Sequence, residues 1–168
     1  MAAVLGSALL ILAGLLTFIY LSFFSPNLAS DADDTFMQVQ SFVGVVGRML
    51  LVMGLVALYV RYSEVMGTLG LVGFLLTLLG LVAGPIGAVI SLLANLGWAL
   101  FGASSLQAGV YPRVAAILLI AGALLTGPIH AFPAGVPDTI FLYASIILYG
   151  AIAWMGYTLW TDQATTTK

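Results

Sequence analysis

Residues 65–102 read VMGTLGLVGFLLTLLGLVAGPIGAVISLLANLGWALFG, 38 residues without one charged side chain. As a single α-helix rising 1.5 Å per residue, the run would be about 57 Å long, against a bilayer hydrocarbon core of roughly 30 Å. A stretch that deep cannot cross once, so it must double back, and Gly84-Pro85 is the corner. The result is two short spans, 65–83 and 86–102, each just long enough to cross. The count of crossings for the whole chain depends on this hairpin.

Composition points the same way. Of the 168 residues, 62% are hydrophobic and 6% charged, and the mean hydropathy is +1.20, whereas soluble domains carry about 25% charged residues. Too little polar side chain is present to face water, so the outer surface must face lipid, and an α-helical bundle is one of the few ways to satisfy the backbone there. With no long polar linker, one integral membrane domain is expected over 1–168. The four basic residues are scattered and the net charge is −2, so no phosphate-tracking patch forms and nucleic acid is not an expected partner. Zero cysteines exclude structural disulfides, thiolate metal sites and thiol nucleophiles.

Outward from the hairpin, four more spans complete the reading. The apolar run Ala2–Phe24 is about twice the length of a signal-peptide core and has no Lys or Arg before it, so it reads as a retained first span, about 3–24. Ser25-Pro26-Asn27 closes it. A linker with Asp31, Asp33 and Asp34 follows, where Asp33 or Asp34 before Thr35 reads as an N-cap. Span 2 covers about 40–60, and Arg61-Tyr62-Ser63-Glu64 connects it to the hairpin. Ala103–Tyr111 reads as a connector ending at Pro112-Arg113, with the proline suited to a first helical turn. Span 5 covers 114–130, Pro133 to Pro137 turn the chain, and span 6 covers 139–160. Six crossings put Arg61, Arg113 and Lys168 on one side and the acidic linker on the other. By the positive-inside rule the first side is cytoplasmic, with both termini there. Tyr20, Phe23, Trp98, Phe101, Trp154, Tyr157 and Trp160 fall near the expected interfaces.

Small residues recur at three- and four-residue spacing through the hairpin. Gly73, Thr77, Gly80, Gly84 and Ala88 form one series, and Ala88, Ser91, Asn95, Ala99 and Gly102 the other. Such faces let helix backbones approach closely, so the hairpin is expected to be the packed centre of the bundle. The alternative is that alanine and glycine are simply common in membrane helices. Internal duplication finds little footing: Gly84-Pro85-Ile86 matches Gly127-Pro128-Ile129, but the flanking matches keep no common spacing.

Arg48 is the one charge inside a span, and a charge at membrane depth needs a partner or a wet cavity. It shares a helical face with Ser41, Gly44 and Leu51, which is expected to point into the bundle, with Asn95 as a candidate partner. Either Arg48 and Asn95 hold an anionic group such as a lipid phosphate or a carboxylate, or Arg48 snorkels to the interface or bonds backbone carbonyls. His130, the only histidine, is a remote candidate for ligating a haem or chlorophyll metal. Its bland reading is an interfacial residue capping a helix end, and no cofactor or metal is expected. Asp138 reads as an N-cap. The Asp31, Asp33, Asp34 cluster lacks the spacing of a calcium loop. No Ser/His/Asp set, H-E-x-x-H or G-x-x-x-x-G-K occurs.

The pieces GLVALYVR (54–61), GLVGFLL (70–76), GWALFG (97–102) and AGVYPR (108–113) resemble small polytopic bacterial membrane proteins of unknown function, of the DUF4386-like sort. The resemblance covers residues 54–125 and implies a polytopic helix bundle without implying an activity. In such relatives the loop between the third and fourth spans is longer than the bare Gly84-Pro85 corner.

The expected role is a non-catalytic integral membrane subunit of a bacterial or archaeal cytoplasmic membrane, packing against lipids or other membrane proteins. The alternatives are a small transporter or amphiphile binder with a cavity near Arg48, and a pigment- or haem-associated subunit.

Overall fold

A computed structural model describes the backbone of residues 1–5, 8, 11, 31–83, 88–131 and 138–166; the side chains of 31–37, 88, 128–131, 138, 141 and 162–166 lie outside that description. The described chain is helical, with no strand among the described residues. Proline punctuates it. α1 (Asp31–Ala83) lies between Pro26 and Pro85, α2 (Ala88–Ala108) between Pro85 and Pro112, α3 (Arg113–Ala131) follows Pro112, and α4 (Asp138–Thr166) follows Pro137. A proline has no N–H to give a preceding turn, so helices start after it more readily than they run through it.

α1 is two helices, not one rod. Tyr62 (φ −127°, ψ 16°) and Gly67 (φ 59°, ψ −161°) leave helical geometry, and the Tyr59 and Phe74 rings stack with centroids 4.4 Å apart. On one straight helix, residues that far apart in sequence would be separated by about 22 Å. The chain therefore reverses between a first limb (31–61) and a second limb (68–83), close to the connection expected at 61–64. The second limb resumes after Gly67, not at Val65, because the backbone at Gly67 is open only to glycine.

The hairpin between the second limb and α2 is visible in their contacts. A methyl placed on Gly73 would stand 2.6 Å from the Phe101 amide nitrogen, one on Gly97 would stand 2.6 Å from Thr77 Oγ1, and one on Gly80 would overlap Ala94. Position falls on one helix as it rises on the other, so the pair is antiparallel. The corner Gly84-Pro85 itself lies outside the described residues, as do most of span 1 and Lys168.

Three boundaries differ from expectation. Helical backbone already begins at Asp31, so Asp33 and Asp34 are inside the helix and neither is its N-cap. α2 runs through the expected connector to Ala108, because no proline interrupts 103–108 and the chain leaves the helix only at Gly109 (φ 64°). α4 continues past Trp160 to Thr166.

α2 packs on α1 and α3, and α3 packs on α4. The ring is closed by the first residues: Ala3 is 3% exposed, and methyls on both Gly54 and Gly156 would collide with it. Leu51, Leu55, Leu58, Phe101, Leu119, Ile152 and Met155 are fully buried. Trp98 and Phe101, expected at an interface, are buried in this core with their rings edge to face; Trp154, Tyr157 and Trp160 are exposed. Among the described residues three helical stretches, Gln38–Ala83 (both limbs of α1 together), Val89–Ala108 and Leu142–Thr161, are long and apolar enough to cross a membrane, and Arg113–Gly127 is a shorter apolar helix.

Candidate functional site

Large apolar side chains cover the exterior, while a few hydroxyls and one amide are buried within a mostly apolar core. Thr77, Asn95, Ser104, Ser105 and Thr126 are buried, while Phe42, Met53, Val82 and Val89 are each more than 60% exposed. Ser104 and Ser105 both donate to the Phe101 carbonyl oxygen, at 2.9 and 2.8 Å, the usual way a hydroxyl is satisfied within a helix. Thr77 Oγ1 is buried without a hydrogen-bond partner, and a methyl on Gly97 would stand 2.6 Å from it.

Asn95 and Thr126 join α2 to α3. The Thr126 hydroxyl donates to Asn95 Oδ1 at 2.5 Å, and Asn95 Nδ2 donates to the Ser91 carbonyl oxygen at 2.8 Å. Gly127 lies beside the Asn95 side chain, where an added methyl would make ordinary contact at 3.4 Å. Among the described contacts this amide serves Ser91 and Thr126, and Thr126 is the partner that the reading of the sequence did not single out. Its only sequence signal is a hydroxyl in an otherwise apolar run.

The small-residue series divides between two neighbours. Gly73, Thr77 and Gly80 face α2 as a close-approach strip, and α2 answers with Ala94, Gly97 and Phe101. Gly102 faces α3, where a methyl would stand 2.8 Å from Ile120 Cγ1. Ser91 and Ala99 are half-buried. Gly84 lies outside the described residues; Ala88 opens α2, with its side chain outside them. His130 is in α3 and Asp138 opens α4, and both side chains are likewise undescribed.

Arg48 stands apart from these contacts. It occupies the face that carries Leu51 and Leu55, three and seven residues on, both fully buried. Arg48 itself is exposed, Ser41 is exposed, and a methyl on Gly44 would meet nothing within 4 Å. Packing along this face therefore stops between Leu51 and Arg48.

The opposite end of the bundle holds an aromatic and basic cluster. Tyr62 and Tyr111 meet edge to face at 5.2 Å, and Arg61 lies 5.9 Å above the Tyr62 ring. The Tyr111 hydroxyl donates to the Leu58 carbonyl oxygen at 2.9 Å. Burial, and then the neighbouring Tyr62 hydroxyl, push the Tyr111 phenol up from its usual range. Because Tyr111 touches Tyr62, Arg61 and Arg113 share this end.

Compared with family models, curated proteins and solved structures, the chain matches none.

Proposed function

We propose that this chain is a six-span, non-catalytic membrane helix bundle with both termini in the cytoplasm, acting as a structural or accessory subunit that meets lipid and other membrane chains through its exterior. The observation that carries the reading is the apolar exterior: large hydrophobic side chains cover the outside, with a few hydroxyls and an amide held within. On this reading the reversals at 62–67, between the second limb and α2, and at 109–112 support four crossings, and α4 supports a fifth. A span over 3–24 makes six. Arg61 and Arg113 at one end favour that end as cytoplasmic.

Two experiments test the proposal. The natural chain has no cysteine, so single cysteines at Ser63, Gln107 and Thr139 report sidedness directly. Ser63→Cys and Gln107→Cys should label from the cytoplasm and Thr139→Cys from the other side; labelling of all three from one side would reject the six-span topology. Mild-detergent purification from the native membrane should recover other membrane chains at fixed stoichiometry. Recovery of the chain alone, as a monomer, would reject the subunit reading.

A further inference from the structure

We propose that Arg48 anchors a bound anionic phospholipid, its guanidinium holding the lipid phosphate against the exposed face of the first limb of α1. The inference rests on the membrane-embedded reading above and names one partner for it.

Depth is the first argument. Arg48 lies in the Gln38–Ala83 segment, about 15 Å along the helix from Gln38 and about 20 Å from Arg61. A cation so placed must reach an interface or an oxyanion. Helical side chains lean toward the N-terminus, over the turn before their own Cα. For Arg48 that turn is Gly44, whose missing side chain leaves the space above it empty. The stem can lie there, carrying the guanidinium toward Ser41 and the headgroup level at that end.

The second argument is the neighbourhood. Among the described side chains the one carboxylate, Glu64, is at the other end of the limb, so no described acid neutralises Arg48. Phe42, Val45 and Met49 around Arg48 are 70%, 48% and 64% exposed. A ligand here must present an anion to the guanidinium and hydrocarbon to these side chains, and a phospholipid does both. The guanidinium fork matches two phosphate oxygens at once.

The test uses the full-length chain in nanodiscs of phosphatidylcholine with a minor fraction of phosphatidylglycerol, reading retained lipid by native mass spectrometry. Wild type should retain phosphatidylglycerol about tenfold over its share, a single charge-assisted contact being the source. Arg48→Gln should abolish the enrichment, Arg48→Lys should keep part of it, and Arg61→Gln, at the other end, should leave it intact. Enrichment unchanged in Arg48→Gln, or lost equally in Arg61→Gln, would overturn the proposal. So would displacement of the retained lipid by millimolar inorganic phosphate, which would make this a site for a soluble anion. If Arg48→Gln does not fold, Arg48→Lys decides, because full retention by the lysine variant removes the fork from the explanation. Failure of the membrane reading itself shows separately, as release of the wild-type chain from membranes by alkaline carbonate.

Discussion

Tyr111 reaches across from the turn between α2 and α3 to cap a helix it does not belong to, its hydroxyl donating at 2.9 Å to the carbonyl oxygen of Leu58. The last carbonyls of a helix have no partner within it. The first limb ends at Tyr62, and there the Leu58 oxygen receives Tyr111 while the Val60 oxygen receives the Ser63 hydroxyl at 3.3 Å. Tyr111→Phe removes the bond and leaves a buried carbonyl, a loss of about 1–2 kcal/mol. Reversible unfolding in mixed micelles should show it, with Tyr143→Phe, at an exposed site, near zero.

The same phenol gives a dependence on alkali. Its proton is held more tightly in the folded chain than in the unfolded one, through burial first and Tyr62 second. The folded state therefore binds more protons once pH exceeds the ordinary tyrosine value of about 10, and stability must fall as pH rises from there. Below that value the contribution is complete. Unfolding measured from pH 8 to 11 should decline in wild type and flatten in Tyr111→Phe.

Gly73→Ala should cost about 1–3 kcal/mol or more, because the added methyl meets backbone atoms of Leu100 and Phe101 that no rotamer change can move. Gly150→Ala, where nothing lies within 4 Å, should be neutral or stabilise by about 0.5–1 kcal/mol. A similar loss at both sites would show that close helix approach is not what Gly73 provides.

Gly67→Ala should cost about 1–3 kcal/mol although the site is open to the surroundings, since the penalty lies wholly in the backbone angles (φ 59°, ψ −161°). Gly67→Asn should recover little, because Asn tolerates the left-handed helical region and not this one.

For Asn95 and Thr126, a double-mutant cycle with Asn95→Leu and Thr126→Val should return a coupling of roughly 0.6 kcal/mol and no more than about 1.7. A coupling of zero would reduce the 2.5 Å contact to a coincidence of packing.

What the sequence made legible was governed by thickness and by proline. A charge-free run too deep for a bilayer announced the second-limb and α2 hairpin, and the polar Arg61-Tyr62-Ser63-Glu64 break announced the reversal before it. The end of that reversal was hidden: Gly67 sits in an apolar run, where a glycine that turns the chain and one that packs a helix look alike. The strip Gly73, Thr77, Gly80 was readable from spacing. Which strip of α2 answered it was not, since Gly97 and Asn95 lie two residues apart and only the position of α3 decides that Asn95 turns away toward Thr126. Arg48 illustrates the same limit. Its angle on the helix matches Leu51 and Leu55, yet whether that face is covered depends on how far up the neighbouring helix stays close.

The seat of Ala3 between Gly54 and Gly156 ties together stretches that lie far apart in sequence. Closure of this kind is long-range and cannot form before both partners have been made, so Ala3 gains its contact with Gly156 only once α4 is in place. A chain that stalls before residue 156 would leave that alanine covered on one side only.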